Sequence, residues 1–335
     1  MKRILVTGGL GFIGSHTVVE LQNAGFEVVI IDNLSNTTID VLDNITSITG
    51  KKPEFHQIDL RIKNDVTSFF DNNSVDGVIH FAAYKAVGES VQKPLDYYEN
   101  NIATLVYLLQ EMKNRSIDNF IFSSSCTVYG QADELPITEN APTKPAESPY
   151  GNTKQIGEEI IKESCNAYHL NAIALRYFNP IGGHESIKIG ELPLGVPQNL
   201  IPFITQTAAG IRKELSVFGN DYPTKDGTAV RDYIHVVDLA NAHIAALERL
   251  IYKNNKTNFE FFNVGTGRGS SVLDVIKTFE KVSETKLNYK IVDRREGDVT
   301  AAYADTTIAN KELNWKTEKS LDEALLSAWQ WQLKQ

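Results

Sequence analysis

Cysteine, excess positive charge and long apolar runs are all scarce in this chain of 335 residues. The two cysteines, Cys126 and Cys165, provide neither a disulfide framework nor the spacing of a metal site, so we expect no bound metal and a reducing, cytoplasmic environment. The formal net charge of -9 argues against a nucleic-acid or anionic-membrane surface. No apolar run reaches the roughly 18 residues of a membrane span, and the first run ends at Thr7, too early for a signal peptide.

Short apolar segments alternate with helix-length segments, which is typical of a doubly wound α/β sheet. The predicted strands are RILV, EVVIID, EFHQID, GVIHFAA, NFIFSSS, IALRYFN and, later, FEFFNVG. Parallel strands are buried on both faces and therefore appear as continuous apolar runs. We expect residues 1–180 to form one sheet domain, to which residues 232–264 return. Residues 181–231 and 265–335, which begin in Gly- and Pro-rich loops, are expected to form a smaller α/β domain over the substrate.

A glycine triplet follows the first predicted strand. Gly8, Gly11 and Gly14 stand at three-residue spacing before a predicted helix, where they permit a tight turn and the approach of a pyrophosphate to the helix N-terminus. Asp32, at the end of the second strand, lies 18 residues beyond Gly14. Its carboxylate would accept hydrogen bonds from an adenosine ribose and repel a 2'-phosphate. The pattern favours a Rossmann-type NAD site, with a structural turn and a surface aspartate as the alternative.

Two further patterns are open to a functional or a structural interpretation. NVGTGRGSSVLD, residues 263 to 274, is a second glycine loop, but Ser271 and Asp274 are spaced as a helix capping box. No acidic strand end follows it at the right distance, so we interpret it mostly as a helix entry. His235 and Asp238 are three residues apart, and without further ligands a core role and a helix-cap role are better supported than a metal site.

Tyr150 and Lys154, in SPYGNTK, are four residues apart and so share a helix face. Tyr252 and Lys256 have the same spacing, which alone therefore decides nothing. The first pair differs in context, because NFIFSSS ends in serines that include Ser125, and ligands in open α/β sheets lie at the carboxyl ends of strands. We expect Tyr150, Lys154 and Ser125 to meet there.

Several longer motifs resemble those of a known enzyme family. TGGLGFIG, SSSCTVYG, YGNTK, RYFNP, RDYIHV and RREGD stand in the order found in extended short-chain dehydrogenases/reductases. Together with HFAAYKAVGESVQKPL and FGNDYPTKDG, they make essentially the whole chain resemble the UDP-glucose 4-epimerases of that family. HFAAYKAVGESVQKPL and RDYIHV are more specific than the glycine triplet.

The resemblance implies an isomerase that transfers hydride from the sugar C4 to tightly bound NAD and returns it to the other face of a rotated 4-ketosugar. Tyr150 would be the base, Ser125 would hydrogen-bond O4 and relay the proton, and Lys154 would also hold the nicotinamide ribose. A tyrosine base working near neutral pH needs its pKa lowered by about 3, or roughly 4 kcal/mol, and Lys154 and the nicotinamide would both favour the tyrosinate. NAD would remain bound, because no net redox change results.

The same resemblance assigns contacts residue by residue. For NAD, besides the glycines and the catalytic residues, they are Phe12, Ile13, Asp32, Asn33, Leu34, Asn36, Asp59, Leu60, Phe81, Ala82, Ala83, Lys85, Asn100 and Tyr177. For the UDP-sugar, besides Lys85, Ser125 and Tyr150, they are Phe178, Asn179, Asn199, Leu200, Val217, Phe218, Arg231, Tyr233, Arg295, Asp298 and Ala302. The guanidinium groups of Arg231 and Arg295 suit a diphosphate, although surface ion pairs are the usual role of arginines.

Ala302 stands where some members of the family carry a tyrosine in the wall of the sugar pocket. A methyl group leaves room for a 2-acetamido substituent, so we expect UDP-GlcNAc and UDP-GalNAc to be accepted as well as UDP-Glc and UDP-Gal, unless Ala302 only fills space. A homodimer through the helices NNIATLVYLLQEM and IGEEIIKESCNAY is also implied, although burial within a monomer gives a similar pattern. The alternatives are a nucleotide-sugar 4,6-dehydratase, which needs an Asp and a Glu where Ser125 and Cys126 stand, and a non-catalytic NAD-binding regulator.

Overall fold

The computed structural model describes residues 1–295 and 298–335. Glu296 and Gly297, within the motif RREGD, lie outside the described residues. The strands are β1 (Arg3–Thr7), β2 (Glu27–Asp32), β3 (Glu54–Gln57), β4 (Gly77–His80), β5 (Asn119–Ser123), β6 (Asn171–Tyr177), β7 (Asn179–Ile181), β8 (Leu215–Phe218), β9 (Val230–His235), β10 (Phe259–Val264), β11 (Gly269–Ser271), β12 (Tyr289–Val292) and β13 (Ala301–Ala302).

The α-helices are α1 (Phe12–Asn23), α2 (Asp40–Thr49), α3 (Lys63–Asn72), α4 (Val87–Gln92), α5 (Pro94–Tyr98), α6 (Thr104–Asn114), α7 (Pro149–Tyr168), α8 (Leu200–Ala208), α9 (Val236–Ile251), α10 (Val272–Ser283), α11 (Thr307–Glu312) and α12 (Leu321–Gln332). A π-helical turn, Glu99–Ala103, precedes α6, and a 3₁₀ helix, Cys126–Tyr129, follows β5. No helix within the described ranges is both long and apolar enough to span a bilayer.

The seven predicted strands form one sheet in the order β10-β6-β5-β4-β1-β2-β3, and every neighbouring pair is parallel. The predicted fold class is therefore confirmed. The chain moves outward in one direction from β1 to β3 and in the other from β4 to β10, so the strand order reverses beside β1. Ligands of open α/β sheets bind at such a reversal, outside the carboxyl ends of the strands.

Each face of this sheet is covered by helices. On one face α1 and α9 pack together and bury residues such as Val18 and Leu247 against the strands. On the other face α3, α6 and α7 bury Phe69, Leu108 and Ile161. Since both faces are buried, the strands carry apolar side chains on both sides, which explains their continuous apolar runs.

A separate hydrophobic cluster lies outside the large sheet. Val217 of β8, Ile276 of α10 and Leu325 of α12 are among its buried members. Strand β9 pairs with β7, β11 and β13 beside this cluster. The capping box of Ser271 and Asp274 at the start of α10 is present as predicted.

His235 and Asp238 have the structural roles expected of them. The Nδ1 atom of His235, which is the N-cap of α9, accepts a hydrogen bond from the backbone N–H of Val237 at 3.1 Å. The carboxylate of Asp238 accepts the backbone N–H groups of Glu318 and Lys319 at 3.1 and 2.9 Å. His235 therefore caps the start of α9, and Asp238 holds this turn against the segment that precedes α12.

Candidate active site

The glycine-rich loop between β1 and α1 brings backbone atoms too close together for side chains. Gly8 has a positive φ of 69°, and a Cβ there would lie 2.8 Å from the backbone nitrogen of Ala82. A Cβ at Gly14 would lie 2.1 Å from the carbonyl oxygen of Gly8. The loop thereby opens the N-terminus of α1 toward the carboxyl ends of the strands, where its free N–H groups and dipole suit a pyrophosphate.

Asp32 is buried at the carboxyl end of β2, beside this loop. Its two carboxylate oxygens accept the backbone N–H groups of Leu10 and Leu34 at 3.1 and 2.9 Å. Burial raises the pKa of the carboxyl group, and the backbone hydrogen bonds oppose that rise. The side chain is therefore fixed in orientation at the position expected for an adenosine ribose partner.

A cavity of about 970 Å³ extends along the carboxyl ends of the strands. It brings together most of the predicted cofactor residues, namely Gly8, Gly11, Phe12, Ile13, Gly14, Asp32, Asn33, Asn36, Asp59, Leu60, Phe81, Ala82, Ala83, Lys85, Asn100, Tyr150, Lys154 and Tyr177. Leu34 adjoins this lining through its bond to Asp32, and Ser125 adjoins it through Tyr150. Asn199 from the predicted UDP set also lines the cavity.

Tyr150 and Lys154 lie in the first two turns of α7, which begins there because Ser148 caps the helix and Pro149 follows it. The Ser148 hydroxyl accepts the N–H of Gly151 at 3.1 Å. Lys154 Nζ donates to the carbonyl oxygen of Ser123 at 2.7 Å and lies 5.7 Å from the centroid of the Tyr150 ring. The Ser125 hydroxyl lies near enough to Tyr150 to act on its pKa, and it accepts the backbone N–H of Thr127 at 3.2 Å. The three predicted catalytic side chains thus meet at one end of the cavity.

The protein's own groups do not lower the pKa of Tyr150 as the sequence led us to expect. Burial raises that pKa well above its ordinary value, and the nearby Ser125 hydroxyl only partly opposes the rise. Burial also lowers the pKa of Lys154 to about 8. Both side chains are buried, and the resulting desolvation disfavours charge on each of them. The expected lowering of the Tyr150 pKa by Lys154 is therefore not seen.

The second tyrosine–lysine pair has no such surroundings. Tyr252 is 67 % exposed, and the Lys256 ammonium forms an ion pair with Glu312 at 2.5 Å. Position on the sheet, not spacing, distinguishes the two pairs.

Three of the predicted UDP contacts form a charged cluster between β9 and the segment before β13. The Asp298 carboxylate lies 2.9 Å from Arg295 and 3.6 Å from Arg231. The Arg295 guanidinium also lies 5.7 Å from the centroid of the Phe218 ring. One carboxylate facing two guanidinium groups leaves a net positive charge, which suits a phosphate-bearing ligand.

The remaining predicted UDP contacts lie on or beside strands β7, β8, β9 and β13 and at the start of α8. Ala302 of β13 pairs in register with Arg231 of β9, and Asn179 of β7 pairs with Tyr233. Val217 is only 1 % exposed and is buried in the cluster with Ile276 and Leu325. Leu200 packs partly buried on the same cluster as Val217, while Phe178 and Tyr233 are buried.

Comparison with known proteins shows to which family this chain belongs. The family model described as GDP-mannose 4,6 dehydratase matches residues 5–327. A UDP-glucose 4-epimerase of Drosophila melanogaster is 50% identical over 337 residues, covering 98% of this chain and 96% of the relative. The chain belongs to the UDP-glucose 4-epimerase family.

Solved structures of epimerases agree with this relationship. The UDP-glucose 4-epimerase of Stenotrophomonas maltophila, with bound NAD and formylated UDP-arabinopyranose, has a TM-score of 0.96 and 44% identity, covering 100% of this chain and 98% of its own. That of Bifidobacterium longum, with NAD+ and UDP, has a TM-score of 0.95 and 46% identity, covering 99% and 98%. A UDP-Glc/GlcNAc 4-epimerase of Campylobacter jejuni has a TM-score of 0.86 and 34% identity over 100% of both chains.

The strand end after β5 separates the epimerase from the dehydratase alternative. Ser125 is the N-cap of the 3₁₀ helix that follows β5, and Cys126 is the first residue of that helix. Burial raises the pKa of the Cys126 thiol to about 12, so it is a poor acid or base near neutral pH. The carboxylate pair that a 4,6-dehydratase would need here is replaced by a hydroxyl and an inert thiol.

Sequence reasoning missed three side chains of this epimerase site. The Ser123 hydroxyl lies 2.5 Å from that of Tyr177 and so fixes a cavity residue. Glu191 accepts hydrogen bonds from Lys85 at 3.2 Å and Asn199 at 2.7 Å, and Trp331 of α12 donates to its carbonyl oxygen at 3.1 Å. Ser123 carries a signal in the serine run, whereas nothing in the local sequence singles out Glu191 or Trp331.

Proposed function

We propose that this protein is a UDP-glucose/UDP-galactose 4-epimerase that works with tightly bound NAD. The observation that carries the proposal is the meeting of Tyr150, Lys154 and Ser125 at the end of the cavity that also contains the glycine loop and Asp32. Family membership and the NAD of related structures support it. When bound, NAD supplies an acceptor for the hydride of sugar C4.

The protein's residues handle the proton and the orientation of the sugar. Tyr150 takes the proton of the 4-hydroxyl, and Ser125, beside Tyr150, holds O4. The C4 hydride would leave for bound NAD and return to the other face of the rotated 4-ketosugar, which recovers its proton from Tyr150. Lys154, anchored on the Ser123 carbonyl, supplies a positive charge beside the tyrosine as it loses its proton.

The UDP portion is held by β8, β9 and the segment before β13, which lie beyond the residues that line the cavity. Arg231 and Arg295 bind the diphosphate there, while Asp298 fixes their orientation. On this assignment residues 1–180 with 232–264 bind NAD, and residues 181–231 with 265–335 bind the UDP-sugar. Rotation of the ketosugar then occurs between a fixed UDP and a fixed dinucleotide.

Incubation of the purified protein with UDP-galactose, without added NAD, tests the activity. We expect UDP-glucose to appear in the proton NMR spectrum, because NAD copurifies with the enzyme. Protein that contains NAD but converts no UDP-hexose would instead support the non-catalytic regulator. Formation of a 4-keto-6-deoxy product would support the dehydratase.

Ala302 extends the proposal to N-acetylated sugars. Its small side chain is half-buried on β13, in register with Arg231, and packs against the cluster that contains Phe178. A methyl group at this position would leave room for a 2-acetamido substituent. The relationship to the UDP-Glc/GlcNAc 4-epimerase of Campylobacter jejuni supports this extension. Interconversion of UDP-GlcNAc and UDP-GalNAc should be lost in Ala302→Tyr while UDP-galactose turnover persists. Equal turnover of both sugar pairs by the variant would show that Ala302 only fills space.

We also infer a homodimer that works in the cytoplasm. Val106, Tyr107 and Ile160 are only half-buried on α6 and α7, which lie side by side, and a second copy would cover them. Sedimentation equilibrium should give twice the 37.3 kDa of one chain, whereas a single-chain mass would refute the dimer. Both cysteines are free, which suits a reducing compartment, and cell fractionation tests that location.

A further inference from the structure

Glu158 lies on the same face of α7 as the catalytic pair. Tyr150, Lys154 and Glu158 follow one another at intervals of four residues, so the carboxylate is one turn behind the lysine. It is buried, and it accepts hydrogen bonds from Arg176 Nε at 2.9 Å and Nη2 at 2.5 Å. A buried charge needs such a partner, and Arg176 of β6 is fixed in turn by the hydroxyl of Tyr129 at 3.0 Å.

The same carboxylate holds the serine run at the end of β5. The Ser124 hydroxyl donates to Glu158 Oε1 at 2.5 Å. Side chains alternate along extended backbone, so Ser124 points away from the cavity while its neighbours serve the site. The carbonyl of Ser123 accepts the Lys154 ammonium at 2.7 Å, and the hydroxyl of Ser125 lies near that of Tyr150. Fixing Ser124 therefore fixes both groups that contact the catalytic pair.

Glu158 also acts on Lys154 electrostatically. The ionisable groups that contact or act on the Lys154 side chain are His80 from β4 and Tyr150 and Glu158 from α7. Burial lowers the pKa of His80 to about 3, so this histidine is neutral near pH 7. Burial likewise lowers the pKa of Lys154, and the negative charge of Glu158 opposes that change. Of these groups, Glu158 is the one carboxyl group, and Arg176 is its hydrogen-bonded partner.

We propose that Glu158 is a positioning residue for the epimerase reaction, which fixes Ser125 against Tyr150 through Ser124 and keeps Lys154 in its ammonium form. The inference rests on the proposed epimerase activity. Glu158 touches neither substrate nor cofactor, and its effect reaches the reaction through the serine run and the lysine.

The variant Glu158→Gln keeps the shape of the side chain and removes its charge. We expect kcat for UDP-galactose to fall about tenfold with KM nearly unchanged, because the UDP contacts are remote from Glu158. The alkaline limb of the kcat–pH profile should move to lower pH by about one unit, because Lys154 then loses its proton more readily. A wild-type pH profile and kcat in Glu158→Gln would overturn the proposal. Inactive wild-type protein would instead refute the proposed function itself.

Two further variants separate positioning from a purely structural role. Glu158→Gln leaves Arg176 as an unpaired buried charge, so Glu158→Gln/Arg176→Gln removes both charges and keeps the protein testable if the single variant unfolds. The double variant should retain the shifted profile; recovery of the wild-type profile would overturn the proposal. Glu260→Gln is the matched control, since Glu260 pairs with the buried Arg249 at 2.7 Å away from the site. It should leave the profile unchanged, and an equal shift would likewise refute the proposal.

Discussion

At the scale of single residues, Tyr150→Phe removes one oxygen atom from the centre of the candidate site. The ring still packs at the start of α7, so we expect the fold and the bound NAD to be retained. Epimerisation should fall by about 10²–10⁴, the usual contribution of a positioned acid or base. The measurement is the turnover of UDP-galactose together with the NAD absorbance of the purified protein.

Tyr252→Phe is the control for that variant, because Tyr252 and Lys256 reproduce the spacing on an exposed surface. Its activity should equal that of the wild type. Substantial activity in Tyr150→Phe would show that another group serves as the base.

The position of the catalytic residues could be predicted, but their electrostatics could not. A serine-ended strand and a tyrosine at a helix start point to one edge of a parallel sheet, and Tyr150, Lys154 and Ser125 do meet there. Burial then raises the pKa of Tyr150, the opposite of the expected change. Desolvation depends on how many distant segments close over a group, and no local pattern records that number.

At the scale of elements, continuous apolar runs predicted all seven strands of the main sheet, because burial on both faces leaves a clear signal. The π-helical turn Glu99–Ala103 left none. It places the consecutive residues Asn100 and Asn101 in the interior, and the side chain of Asn101 bonds both the backbone of Tyr84 and the hydroxyl of Thr153. Tertiary packing, and not the local sequence, determines whether a helical turn contains an extra residue. Such π-helical turns are frequent at functional sites.

The glycine loop supplies the prediction at this scale. In Gly14→Ala the new methyl carbon would lie 2.1 Å from the carbonyl oxygen of Gly8, so the turn between β1 and α1 has to open. We expect the free energy of unfolding to fall by about 1–3 kcal/mol and copurified NAD to be lost. Urea unfolding and the ratio of absorbance at 260 and 280 nm measure the two effects.

Gly88→Ala is the matched control, because no atom lies within 4 Å of a Cβ at that position in α4. Its stability should change by no more than about 1 kcal/mol, and NAD should be retained. Full NAD content in Gly14→Ala would mean that the close turn is not what holds the dinucleotide.

At the scale of the whole molecule, the cavity is completed by segments far apart in the chain. The sheet supplies the glycine loop and α7, while the segment around Glu191 and the end of α12, with Trp331, supply the opposite wall. Sequence patterns predict each element from its own residues. They do not show that α12 returns to a cavity built around β1, because that contact depends on how separate hydrophobic clusters pack.

Buried histidines make the stability of the whole molecule sensitive to acid. Burial lowers the pKa of His16 and His80 to about 3 and of His235 and His243 to about 4. Below pH 6.5 the unfolded chain binds more protons than the folded protein, so the free energy of unfolding falls as the pH falls. Each such histidine contributes about 1.4 kcal/mol per pH unit, so the slope approaches about 5 kcal/mol per unit at most. Urea unfolding between pH 7.5 and 5.5 measures it.

Single histidine variants test the origin of that slope. His243→Phe keeps an aromatic ring beside Phe81 and Tyr177 and removes one titrating group, so the slope should fall by about a quarter. His169→Asn is the control: His169 is exposed and has a φ of 60°, which asparagine tolerates. Its slope should equal that of the wild type. Buried carboxyl groups such as Asp232 and Asp238, whose pKa burial raises, act in the opposite direction at lower pH. A slope that is flat down to pH 5.5 would show that the buried histidines do not control the acid stability.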